Sequence, residues 1–74
     1  MIRIRTNGYR VKDIVDMDTG EIIDNPKRLL REFDNPKAWD IYNNAVTVLE
    51  HKHLAGEIFS KKLYEKYANQ TFIV

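Results

Sequence analysis

The chain has 74 residues, 43% of them hydrophobic and 31% charged, with a formal net charge of +1. This is one globular domain, residues 1–74, rather than a disordered or multidomain chain. There are no cysteines, which excludes disulfides, cysteine-ligated zinc and thiol chemistry and leads us to expect a reducing, cytoplasmic setting.

The N-terminal third reads as strands. Ile2 and Ile4 alternate with Arg3 and Arg5, the period of a half-buried strand. Asn7-Gly8 follows, and a two-residue type I′ turn there requires positive φ at both central residues. Residues 9–15 alternate again. A second turn is expected within Asp16-Met17-Asp18-Thr19-Gly20, and Glu21-Ile22-Ile23 would be a short third strand. The expected fold class is therefore α+β: a three-stranded antiparallel meander over about residues 2–23, packed on two or three C-terminal helices.

Asn25-Pro26 supplies a helix start, so a short helix should carry Leu29, Leu30 and Phe33 inward. Asn35-Pro36 repeats that start and ends the first helix near Asp34. The next helix has two adjacent apolar stripes, Trp39, Tyr42, Val46, Leu49 and Ala38, Ile41, Ala45, Val48. So wide a face marks the central helix of the core, with Asp40, Asn43, Asn44, Thr47 and Glu50 toward water. A break is expected within residues 51–56, around His51-Lys52-His53 and Gly56. A last helix should turn Leu54, Ala55, Ile58, Phe59, Leu63 and Tyr67 inward. The tail Thr71-Phe72-Ile73-Val74 is apolar and β-prone; it could add a strand, plug the core or dock on another molecule.

At this size the fold buries only about 60% of the surface of its unfolded chain and is held by about 4–11 kcal/mol. A deep cavity would use core that such a domain lacks, so function is expected on the outer surface. No apolar run reaches the length of a membrane span. The opening Met1-Ile2-Arg3-Ile4-Arg5 lacks the apolar centre of a signal peptide.

Charge is segregated despite the small net value. Residues 1–12 carry Arg3, Arg5, Arg10 and Lys12 and no acid, while residues 13–24 carry Asp13, Asp16, Asp18, Glu21 and Asp24 and no base. A two-residue Asn7-Gly8 loop would set Arg5 opposite Arg10 and Arg3 opposite Lys12, four cations on one face, with Ile2, Ile4, Val11 and Tyr9 on the other. Like charges directly opposed are destabilising. Such a face calls for the acidic run, a phosphate backbone or an acidic protein to neutralise it, or simply stays solvated.

Enzymatic motifs are missing. An EF-hand loop begun at Asp16 fails at Gly20, Glu21 and Lys27. A phosphatase-type D-x-D-x-[TV] nucleophile motif requires Thr or Val where Gly20 stands, so the run reads as a turn. His51 and His53 do not share a helix face, and His53 with Glu57 gives two ligands where zinc needs three or four. Ser60 has no base near it in sequence. No catalytic residue, metal or cofactor is therefore expected.

The leading expectation is a non-enzymatic protein-binding module, an inhibitor or regulator of a larger protein. Chains of this size without catalytic motifs are typical of what viruses and mobile elements deploy against host machinery. Its contacts would be the cationic face (Arg3, Arg5, Arg10, Lys12), the acidic turn (Asp16, Asp18, Glu21) or aromatics near the C-terminal end (Tyr64, Phe72). The alternative is a small nucleic-acid-binding protein using the cationic hairpin face, although near-neutral charge speaks against it. A homodimer through the C-terminal apolar segment is a third option.

Overall fold

Alternation of aliphatic and basic residues makes β1 (Ile2–Thr6) a strand with one buried side, Ile2, Ile4 and Thr6, and one half-exposed side, Arg3 and Arg5. This is seen in a computed structural model that describes residues 1–51 and 61–74. β1 pairs antiparallel on one side with β2 (Val11–Asp16) and on the other with β3 (Thr71–Ile73), giving the order β2-β1-β3. The helices are α1 (Arg28–Arg31), α2 (Pro36–Leu49) and α3 (Lys61–Tyr67). The α+β class stands, but the sheet is not a meander. Glu21–Ile23 contributes only an isolated bridge, Ile22 to Val15, and the third strand comes from the C-terminal tail.

The first connection also differs from expectation. Asn7 accepts hydrogen bonds on its side-chain oxygen from Tyr9 N at 2.7 Å and Arg10 N at 2.8 Å. That clamp makes the loop four residues long, closed by Asn7 N donating to Arg10 O at 2.9 Å. Gly8 does not adopt the positive φ that a type I′ turn demands. A β-bulge between Arg5 and Thr6 and their partners then moves the register, so Arg5 faces Asp13 and Arg3 faces Val15. The second turn is as expected. Gly20 has φ +78°, and Asp16, itself buried, accepts from Asp18 N and from Thr19 Oγ1, each at 3.0 Å.

α2 is the central helix. Asn35 caps it by accepting from Ala38 N at 3.1 Å, with Pro36 in the first turn. Its polar positions Asp40, Asn43, Asn44, Thr47 and Glu50 are all exposed. α1 is a single turn that buries Leu29 but leaves Leu30 exposed. It ends at Arg31, and Asp34, with a φ of 45°, redirects the chain before Pro36.

The core has two parts. Ile2, Ile4, Ile14, Ile23, Leu29 and Ala38 form one; Ala45, Val48, Leu49, Tyr67 and Ala68 form the other; Val11 and Phe72 pack against both. Ile14 rather than Val15 points inward, and Tyr9, expected on the inner face, is 82% exposed. Thr6 takes the inner position instead. Its hydroxyl donates to Tyr67 O and accepts from Gln70 N at 3.0 Å, which ties β1 to the turn between α3 and β3. The expected helix positions Leu54, Ala55, Ile58 and Phe59, the break at Gly56, and His53, Glu57 and Ser60 lie outside the described residues.

Candidate functional site

Because the helices pack against the side of the sheet bearing Ile2, Ile4 and Ile14, the opposite side carries no helix among the described residues. Its middle row runs straight across the sheet. Ile22 bridges Val15, Val15 faces Arg3, and Arg3 faces Ile73. Residues paired across strands point to the same side, so these four side chains stand in line. Ile22 is 63% and Ile73 53% exposed, so aliphatic surface stands open at both ends of the row. By the same alternation Met1 and Met17, joined by Met17 N donating to Met1 O at 3.0 Å, extend this apolar side at one end.

Arg3 sits in the middle of that row. Its Nε is enclosed and has no hydrogen-bond partner. No ion pair of Arg3 occurs among the described residues. An enclosed unmatched donor costs about 1–3 kcal/mol, and an arginine head offers five N–H groups in a plane that suits a carboxylate. In the next row Arg5 grips Asp13 through Nε at 3.0 Å to Oδ1 and through a terminal nitrogen to Oδ2. Asp13 is held below the ordinary carboxylate range, first by that hydrogen bond and then by the nearby positive charges of Arg5, Arg3 and Lys12 against the opposing effect of its burial. The Arg5 guanidinium is correspondingly raised.

The expected cationic face of four opposed charges is thus not assembled. Arg3 and Arg5 share the outer side of β1, but Arg10 lies exposed in the loop and Lys12 lies exposed at the bulge. The acidic candidates are spread as well. Asp16 is buried in its turn, Asp18 accepts from the N-terminal amine at 3.1 Å, and Glu21 accepts from Arg28 at 2.9 Å. Arg28 also holds Glu32, which lowers the Glu32 carboxyl below its usual range. Of the aromatics, Tyr64 is half-buried and its hydroxyl donates to Gly8 O at 3.1 Å. Phe72 is half-buried against both parts of the core, with its ring 5.8 Å from that of Tyr67.

Ile22 escaped the sequence reading, and Ile73 entered it only as part of the apolar tail that could dock on another molecule. The signal was present: Ile22-Ile23 and Phe72-Ile73 are adjacent apolar pairs, and a strand can bury only one of each pair on one face.

A cleft of about 290 Å³ opens between β2 and α2, lined among others by Lys12, Ile14, Ile23, Asp24, Tyr42 and Glu50. Burial, with Glu50 nearby, pushes the Tyr42 phenol above its ordinary pKa, so its proton stays on at neutral pH. No three His, Asp or Glu side chains among the described residues stand close enough together to hold a metal ion. No helix among them is long and apolar enough to cross a membrane.

Comparison with known proteins finds no matching family model, no matching curated protein and no matching solved structure.

Proposed function

We propose that this chain is a protein-binding module, a regulator or inhibitor of a larger protein, that works through the side of its sheet on which no helix packs among the described residues. The observation that carries this reading is the row Ile22, Val15, Arg3, Ile73: aliphatic side chains open to solvent on either side of an arginine whose Nε has no hydrogen-bond partner and which makes no ion pair among the described residues. Charge complementarity sets the partner's chemistry. It presents a carboxylate to Arg3, flanked by apolar side chains that cover Ile22 and Ile73. Arg5 and Asp13 already satisfy each other, so the rest of the face asks for little further charge.

The experiment is affinity capture from lysate with the wild-type chain, Arg3→Glu and Arg3→Met, with and without nuclease, followed by binding measurements on the recovered protein. We expect one protein to be retained by the wild type, lost by Arg3→Glu, and held more weakly by Arg3→Met, which keeps the stem without the charge. Recovery of the same protein by Arg3→Glu at equal strength would refute the reading. So would complete loss after nuclease treatment, which would move the function to nucleic acid.

A further inference from the structure

The two edges of the sheet are finished differently. Along β2, the segment after the second turn covers the edge: Asp16 N donates to Glu21 O at 2.9 Å and Ile23 N to Ile14 O at 2.8 Å. Along β3 no further strand pairs among the described residues. Exposed edges are normally blunted by lysine, proline or a bulge. Thr71, Phe72 and Ile73 supply none of these, and Thr71 and Ile73 are both exposed.

The ladder fixes which backbone groups face outward. Ile2 and Val74 exchange both bonds, Ile2 N to Val74 O at 2.6 Å and Val74 N to Ile2 O at 2.9 Å, and Thr6 N donates to Gln70 O at 2.9 Å. Bonding alternates along an antiparallel strand, so Phe72 turns its N–H and C=O to β1. Thr71 and Ile73 turn theirs to the open edge.

We propose that this edge pairs with the same edge of a second copy, antiparallel and two-fold about Phe72, to join two sheets into one of six strands. The register is self-complementary. Thr71 of one copy meets Ile73 of the other, and each such pair exchanges both hydrogen bonds, so the two-fold gives four in all. Phe72 then meets its own symmetry mate in the close, non-hydrogen-bonded position. It lies on the helix side, where its half-exposed ring has surface left to bury. The row that ends at Ile73 continues through Thr71 of the partner to the partner's Arg5. Arg3 and that arginine are then three strand spacings apart, about 14 Å, beyond the screening distance of about 8 Å at physiological salt. Like charge does not oppose the pairing.

Three residues a side bury less than the roughly 800 Å² per partner of a stable interface, so the pairing is weak and concentration-dependent. Its test is sedimentation equilibrium on the full chain from about 10 µM to about 1 mM, the range in which weak association is populated. Amide exchange of Thr71 and Ile73 is followed over the same range. We expect the mass to rise toward two chains, and both amides to slow, as concentration increases. Ile73→Pro removes an edge N–H without touching the bonds to β1, because an edge strand tolerates proline where its N–H faces outward. It should keep the wild-type circular dichroism and stay at the mass of one chain throughout. A wild-type mass of one chain at about 1 mM, or an Ile73→Pro chain that associates like wild type, would overturn the proposal. If the proline variant unfolds, the wild-type amides decide: exchange that does not change with concentration is equally fatal. The Arg3 variants leave this edge unaltered, so failure of the dimer and failure of the partner-binding reading are separately visible.

Discussion

Arg5 stands directly across the ladder from Asp13, and its guanidinium engages both oxygens of that carboxylate. Without the bulge, the register set by Thr6 and Val11 would have put Lys12 opposite instead. The bulge that sets Asp13 there turns an opposed pair of like charges into an opposed pair of unlike ones.

That pairing makes stability depend on acid in one direction. The Asp13 carboxyl is depressed in the folded state, so its contribution is complete above the unfolded carboxylate pKa of about 3.9. It is lost as pH falls through the lower, folded value. Arg5 is 42% exposed at its side chain, so solvent and salt weaken the effect. Urea unfolding of wild type and Asp13→Asn from pH 7 down to pH 2 should show the difference between them closing below about pH 4. A constant gap across that range would mean the ion pair does not support the fold.

Phe72 belongs to both halves of the core. Phe72→Ala should cost about 2–4 kcal/mol, toward the lower end for an aromatic truncation because the ring is only half-buried. Ile4→Ala, fully buried, should cost about 2–5 kcal/mol. Either loss is a large share of the total for so short a chain. Chemical denaturation midpoints measure both, and deletion of residues 71–74 should leave little cooperative unfolding.

Gly8 sits at a close approach rather than at an unusual φ. A Cβ there would lie 3.0 Å from the Tyr64 hydroxyl oxygen, which donates to Gly8 O. Gly8→Ala should destabilise by about 1 kcal/mol. Placing Tyr64→Phe in the same chain should return part of the loss, because it removes the atom that collides. A double-mutant cycle by thermal unfolding reads the coupling, and strictly additive effects would show that the two positions do not interact.

Asn35 has two tasks. Its side-chain oxygen caps α2 at Ala38 N, and its side-chain amide donates to Val74 O at 3.3 Å. Asn35→Ala should cost about 1–2 kcal/mol, and Asn35→Asp, which keeps the cap acceptor but loses the donor, should cost less. Equal losses in the two variants would place the whole effect on the Val74 contact.

Much of the local structure was legible in the residues themselves. Period-two alternation marked β1, Asn35-Pro36 marked the start of α2, and the exposed positions Asp40, Asn43, Asn44, Thr47 and Glu50 followed from helical periodicity. Gly20 marked the second turn. These features depend on a few neighbouring residues and on sterics or capping that any context preserves. The candidate surface was legible in its arginines and in the apolar tail that carries Ile73.

The remainder depended on parts of the chain far apart in sequence. Asn7-Gly8 can form a two-residue or a longer loop, and the choice fell to the Asn7 side chain and to Tyr64 reaching Gly8 from more than fifty residues away. The third strand is Thr71–Ile73 rather than Glu21–Ile23 because β1 had an unpaired edge for Thr71–Ile73 to fill, and Thr6 anchors the turn that leads into it. That long-range pairing put Ile73 in line with Arg3. Local sequence set the alternation of each strand; register and strand order were decided by which hydrogen bonds and buried aliphatics the complete fold satisfied together.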